Sequence, residues 1–243
     1  SAASDVYKRQ LQSFKPTIEF EDLTYNFVTD FEKFLYESGY QTNTVAKHMK
    51  HLKSFVNAAI NKGYIDPNNY AFRRYKIKMK EGKHVFLLPE EMKKLEEVSL
   101  TGRNSCLEHT LDAFLFCCYT GLRYSDFVNL NEKNIVKMDG KLWLIFDSVK
   151  TGTEVKLPLN LLFEGKALTL LQKYQGKWSS FFSIKNNSSV NKELIRIGKL
   201  AKISKHFSFH SARHTNATLL IYKGANITTV QKLLGHKNLA TTQ

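Results

Sequence analysis

From Leu23 to Leu35 the apolar residues fall at Leu23, Phe27, Val28, Phe31, Phe34 and Leu35, a spacing that lines one side of a helix. Gly39 follows as a stop. A second stripe at Val45, Met49, Leu52, Phe55, Val56 and Ile60 predicts a second helix, capped by Thr42 or Thr44 and closed by Gly63. The opposite face carries Lys47, Lys50, Lys53 and, further round, His48. Together these predict a small helical bundle over residues 14–80. At its end, Arg73-Arg74-Tyr75-Lys76-Ile77-Lys78-Met79-Lys80 alternates basic and apolar residues, which suits extended chain better than helix. Ahead of it, Ser1–Gln10 (SAASDVYKRQ) shows no helical or strand period. Asp5–Gln10 back-translates into the end of a transposase-based sequencing adaptor, so residues 1–13 are expected to be a non-native or disordered tail.

A second region follows a linker expected at 81–86 and runs from 87 to 243. Pro89, Glu90 and Glu91 make a good helix start. Leu107, Leu111, Phe114, Leu115 and Cys118 mark a buried helix that stops at Thr120-Gly121, and a short helix is expected from Ser125. Lys141–Ser148 and Glu154–Leu159 read as strands joined by a turn at Thr151-Gly152-Thr153. Helical patterns then return over Leu168–Tyr174, Lys192–Lys202, Ser211–Lys223 and Thr228–Leu234. The expected class is mainly α with a small antiparallel β-sheet (α+β), in two domains.

The charge narrows the function. Net charge is +14 and the pI near 9.6, so a polyanionic partner is expected. No stretch approaches the roughly 18 apolar residues of a membrane span, and no basic amphipathic helix with a bulky apolar face stands out. Nucleic acid is therefore favoured over an anionic membrane. Lys47, Lys50, Arg73, Arg74, Lys76 and Lys78 are the candidate phosphate contacts, with residues 73–80 lying along a DNA backbone; a solvated edge strand is the blander reading of that segment. Cys106, Cys117 and Cys118 have no metal-binding spacing and read as buried thiols of a reducing cytoplasm.

Four local signals carry chemistry. Thr120-Gly121-Leu122-Arg123 places an arginine in a fixed turn after a helix-ending glycine, suited to gripping a phosphate, with Asp126 able to orient it. Lys150 sits at the tip of the strand pair, where an ammonium can reach a substrate. In His210-Ser211-Ala212-Arg213-His214 a histidine shares a helix face with an arginine and is placed to move a proton beside a bound anion. Leu233-Leu234-Gly235-His236 ends a helix and exposes a histidine. Each signal alone has an ordinary reading: a surface arginine, a hairpin lysine, a packing histidine, a helix cap. His210 and His214 also have the spacing of zinc-binding helices, but Ser211 stands where such helices carry glutamate, and no carboxylate or cysteine completes a ligand set; no metal is expected.

In order, T-G-L-R, a lysine in a strand turn, H-x-x-R-H and L-L-G-H resemble the catalytic domain of tyrosine recombinases of the phage integrase kind, over about Leu87–Gln243. Residues 14–80 look like that family's core-binding (SAM-like) domain. The run F-S-F-H-S-A-R-H-T-N-A-T is similar to integrases of mobile elements in the Bacteroidetes.

The resemblance implies that Arg123 and Arg213 hold the scissile phosphate, Lys150 protonates the leaving 5′ oxygen, His210 assists at the tyrosine hydroxyl and His236 donates to the phosphate. It implies no cofactor, double-stranded DNA as partner, a homo-tetramer on paired sites and a cytoplasmic, nucleoid-associated place. It also puts the nucleophilic tyrosine nine residues past His236, two beyond Gln243, while all eleven tyrosines precede His236. The chain to Gln243 is therefore expected to bind DNA without cleaving it. A non-catalytic DNA-binding relative acting as a regulator is the alternative; a type IB topoisomerase shares the active-site plan but fits the small helical domain and L-L-G-H less well.

Overall fold

The computed structural model describes residues 2–234 and parts by its contacts into two compact units, which meet in sequence at Lys83 and His84. The first unit contains helices α1 (Ala2–Phe14), α2 (Tyr25–Glu37) and α3 (Thr42–Asn61). Phe27, Val28, Phe31 and Leu35 of α2 are buried together with Val45, Met49, Leu52 and Val56 of α3, and Ile65, Phe72 and Tyr75 complete this core. Thr24 caps α2 by accepting from the Phe27 amide at 3.3 Å.

Four expectations for this unit need correction. Residues 2–14 form a helix rather than a tail. Its positions Tyr7, Leu11 and Phe14 are spaced four and three apart, and two of them lie beyond Gln10, so the first ten residues alone show no period. Phe14 packs its ring 5.3–5.4 Å from Phe27, Phe31 and Phe34. Neither Thr42 nor Thr44 is the cap of α3; that position is Gln41, with no side-chain bond. Phe55 is 51% exposed, whereas His48 is buried. Val56, one residue on, already fills the core-facing place, and the His48 ring packs at 5.3 Å from Tyr40.

Residues 75–80 are irregular and close the first unit rather than hang free of it. Tyr75 enters the core, and the Asn43 side chain both donates to the Lys80 carbonyl (2.8 Å) and accepts from its amide (2.9 Å).

The second unit runs α4 (Pro89–Glu96), α5 (Glu108–Thr120), α6 (Tyr124–Phe127), β1 (Ile135–Met138), β2 (Lys141–Asp147), β3 (Glu154–Pro158), α7 (Lys166–Lys173), α8 (Trp178–Phe182), α9 (Asn187–Leu200), α10 (Ser211–Tyr222) and α11 (Ile227–Leu234). The strands form an antiparallel meander in the order β1-β2-β3, with Leu144 opposite Leu157 and Phe146 opposite Val155. β1 and α8 were not anticipated. At four and five residues each is too short to show a period.

Helix α5 is the axis of this unit. From Leu111 to Thr120 every residue is buried, because α4, α7, α8, α9 and α10 all pack around it. A helix buried on all sides needs no polar face, which explains its apolar run from Ala113 to Tyr119. Phe127 of α6 sits among the rings of Phe116, Phe181, Phe182 and Phe209. This fixes α6, and with it Arg123 at its head. Cys117 and Cys118 are buried as expected, but Cys106 is exposed on the 3-10 turn Gly102–Leu107, before the buried helix begins.

The stretch expected as linker at 81–86 is shorter than that. The His84 ring stacks on His214 of α10 at 4.4 Å and Lys205 holds the Phe86 carbonyl at 3.0 Å, so the chain already belongs to the second unit there.

Candidate active site

The end of α5 sets the geometry. Gly121 takes a left-handed φ of +72°, and a side chain there would start 2.5 Å from Leu234 Cδ2 and 2.9 Å from Asn216 Oδ1. Glycine alone combines that φ with that close approach. The chain then turns to extended geometry at Arg123, the residue that heads α6.

Arg123 Nη1 donates to Ser148 Oγ at 3.2 Å and lies 3.6 Å from Asp126 Oδ2. Asp126 is 2% exposed, and its Oδ1 accepts from the Val149 amide at 2.9 Å. The expected orienting role of Asp126 thus has a geometric basis, and the same carboxylate reaches the β2–β3 turn. That turn presents Lys150 to solvent.

Arg213 lies in the first turn of α10, three residues after His210 at the helix cap. Its guanidinium is buried and donates from Nη1 to the Gly121 carbonyl at 2.8 Å and from Nη2 to the Leu234 carbonyl at 2.5 Å. One cation therefore joins the ends of α5 and α11. Asn216, one turn on, donates to the Cys118 carbonyl at 2.9 Å. Burial, with Arg123 nearby, brings the Arg213 pKa down to about 10, so it remains charged at neutral pH.

His210 feels the whole cluster. Desolvation lowers its pKa, and Arg213, Arg123, His84 and Lys150 push in the same direction. Arg123, Lys150 and the His210–Arg213 pair, from three separate stretches of sequence, thus act on one electrostatic site. His236 lies outside the described residues. Next to the cluster, His214 meets the His210 ring edge-on at 4.9 Å and stacks on His84 at 4.4 Å. The His214 pKa falls to about 4, mainly through burial and then through His210. Among the described residues no group of His, Cys, Asp or Glu could hold a metal ion.

Chemically, two arginines beside an exposed lysine and a neutral imidazole suit a phosphodiester. The guanidiniums supply charge and directed donors for its oxygens, and the other two groups can give and take protons. Ser148 and His84 carry no local signal, because their contacts span long sequence separations, and Asn216 stands in the quoted F-S-F-H-S-A-R-H-T-N-A-T run with no role read for it.

The basic candidates all lie on the first unit and are exposed. Lys47 and Lys50 stand on the exposed side of α3, where Lys50 Nζ contacts Sδ of Met79, the residue after Lys78, at 3.0 Å; Lys76 is exposed on the same extended segment. Arg73 and Arg74 instead border a hollow shared with Tyr25, Asn68 and Tyr70, with Arg73 bonded to the Pro67 carbonyl at 3.1 Å. No described helix is long and apolar enough to cross a membrane.

Comparison with known proteins agrees with this architecture. The phage integrase family profile matches residues 85–243, and the phage integrase SAM-like domain profile matches residues 3–78. Tyrosine recombinase XerC of Oceanobacillus iheyensis is 29% identical, covering 98% of this chain and 82% of that protein. A tyrosine recombinase of Pseudothermotoga lettingae is 30% identical, covering 93% and 78%. Among solved structures, a lambda integrase dimer bound to a COC′ core site superposes with a TM-score of 0.80 at 19% identity, over 98% of this chain and 84% of that one. A lambda integrase tetramer bound to a Holliday junction gives 0.76 at 19% identity, over 100% and 72%. The structural likenesses speak for the fold. The profile matches over both units and the near-full-length relatives go further: the chain belongs to the phage integrase family of tyrosine recombinases.

Proposed function

We propose that this protein cuts and rejoins DNA strands at specific sites through a 3′-phosphotyrosine intermediate, without metal or nucleotide cofactor. The observation that carries the reading is the meeting of Arg123, Lys150, His210 and Arg213, contributed by α6, the β2–β3 turn and the start of α10.

In this reading the two arginines hold the non-bridging oxygens of one phosphate and stabilise the charge that builds up in the pentacoordinate transition state. His210, kept neutral by its surroundings, takes the proton of the attacking tyrosine hydroxyl. The tyrosine oxygen bonds to phosphorus as the bond to the 5′ oxygen breaks, and Lys150 supplies that oxygen with a proton. His236 donates to the phosphate. The phosphotyrosine keeps the bond energy, so rejoining is the reverse step. Family spacing puts the attacking tyrosine at position 245, and residues 1–243 by themselves then grip DNA without cutting it. By likeness to the lambda integrase tetramer on a Holliday junction, the working assembly is four copies on paired duplex sites; its strong positive charge and DNA partner favour a place on the nucleoid, in the cytoplasm. A purely regulatory DNA-binding role is less well supported, because a decayed enzyme has no need to keep Arg123, Lys150, His210 and Arg213 together.

Residues 1–243 should bind duplex DNA with an affinity that drops steeply between about 50 and 200 mM salt, as counterion release demands. With a nicked suicide duplex they should form no covalent adduct, whereas a chain carried on to a tyrosine at position 245 should. Salt-independent affinity, or an adduct from residues 1–243, would contradict the reading.

A further inference from the structure

Ser148 stands where the phosphate grip meets the turn that carries the proposed acid. It is 2% exposed. Its backbone closes the turn: the Ser148 amide donates to the Thr153 carbonyl at 2.9 Å, and its carbonyl accepts from the Gly152 and Thr151 amides at 2.7 and 3.2 Å. Its side chain faces the other way. Oγ accepts from Arg123 Nη1 at 3.2 Å and donates to Asp126 Oδ1 at 3.4 Å. A hydroxyl has one proton to give and lone pairs to receive, so a single small group serves the guanidinium and the carboxylate at once. Lys150 is two residues further on, exposed, in a turn whose Gly152 sits at φ +61°. Among the described residues none bonds its ammonium, so where it stands follows from how the turn is anchored, through Ser148 and through the Val149 amide on Asp126.

We infer that Ser148 is a positioning residue for Lys150: it locks the β2–β3 turn to Arg123, so that the acid and the grip meet one phosphodiester in fixed register. The inference rests on the reaction proposed above. There the P–O5′ bond breaks as the tyrosine O–P bond forms, and the Lys150 proton passes to O5′. With sulfur in place of that oxygen, a thiolate leaves unprotonated, because a thiol is far more acidic than an alcohol. A bridging-sulfur substrate therefore needs no correctly placed acid.

The test measures single-turnover adduct formation at saturating DNA, in the full chain carried on to a tyrosine at position 245, on matched oxygen- and sulfur-bridged nicked duplexes. Ser148→Ala should slow the oxygen substrate roughly 10- to 100-fold, the scale of losing a hydrogen bond to charged partners. On the sulfur substrate it should come within about threefold of the unmutated chain, and so should Lys150→Ala. Ser148→Thr, which keeps the hydroxyl, should stay close to the unmutated rate on both. Two results overturn the inference: Ser148→Ala at the unmutated rate on oxygen, or an equal loss on oxygen and sulfur, which would place the defect in the grip or the fold. No adduct from the unmutated chain on either substrate would instead bring down the reaction reading, and this inference with it.

Discussion

Arg213 Nη1 donates to the carbonyl of Gly121 at 2.8 Å, across 92 positions of sequence. That bond ties the Arg213 guanidinium to the turn that launches Arg123, while Ser148 and the buried Asp126 hold the Arg123 guanidinium, so each cation is fixed by its own polar partners. The guanidinium proposed to grip phosphate thus also holds the fold together.

Gly121→Ala should be poorly tolerated. It combines a positive φ with a Cβ placed 2.5 Å from Leu234 Cδ2 and 2.9 Å from Asn216 Oδ1. A loss of about 2 kcal/mol or more is expected, read as a lower urea midpoint at unchanged slope. Gly140→Ala is the control: its φ is also positive, at +75°, but no atom lies within 4 Å of the added carbon, so its loss should be smaller.

The His84–His214–His210 contact predicts how stability responds to acid. His214 has a folded pKa of about 4 against an ordinary 6.5, so below pH 6.5 the unfolded chain takes up a proton that the folded chain refuses. Its contribution is full above about pH 6.5, fades as the pH falls toward 4 and levels off below. The size is on the order of 2 kcal/mol for a partly buried ring. Chemical denaturation across pH 4–7 should show this slope flattened in His214→Phe. An identical slope would remove His214 as its source.

Much of this was legible in the sequence, and the misses have physical causes. The α2 stripe was readable because α2 buries one face only. The motif residues were readable because backbone turns hold them: Gly121 before Arg123, and the start of α10 around His210 and Arg213. Phe55 and His48 were misplaced because they flank the buried stripe of α3, where apolar or basic character alone does not decide the side. Helix α1 was missed because its period begins in the first ten residues and is completed outside them. Ser148 and His84 had no local signal, since their partners are brought to them only by folding.

Basic residues on the first unit should act on DNA as charges. Lys50→Ala and Lys78→Ala, beside one another through Met79, should each reduce the slope of log affinity against log salt by about 1 if each touches a phosphate. Both variants should weaken binding alike for all sequences, measured by fluorescence anisotropy over a salt series. Loss for one sequence only would mean base contact instead.

The most direct test of the central claim, that this cluster handles a DNA phosphodiester, is covalent adduct formation on a nicked suicide duplex by a chain carried on to a tyrosine at position 245. Arg213→Ala should lower the single-turnover rate by roughly 10²–10³-fold, the loss expected for one transition-state donor. A folded Arg213→Ala protein that forms adduct at the unmutated rate would contradict the account.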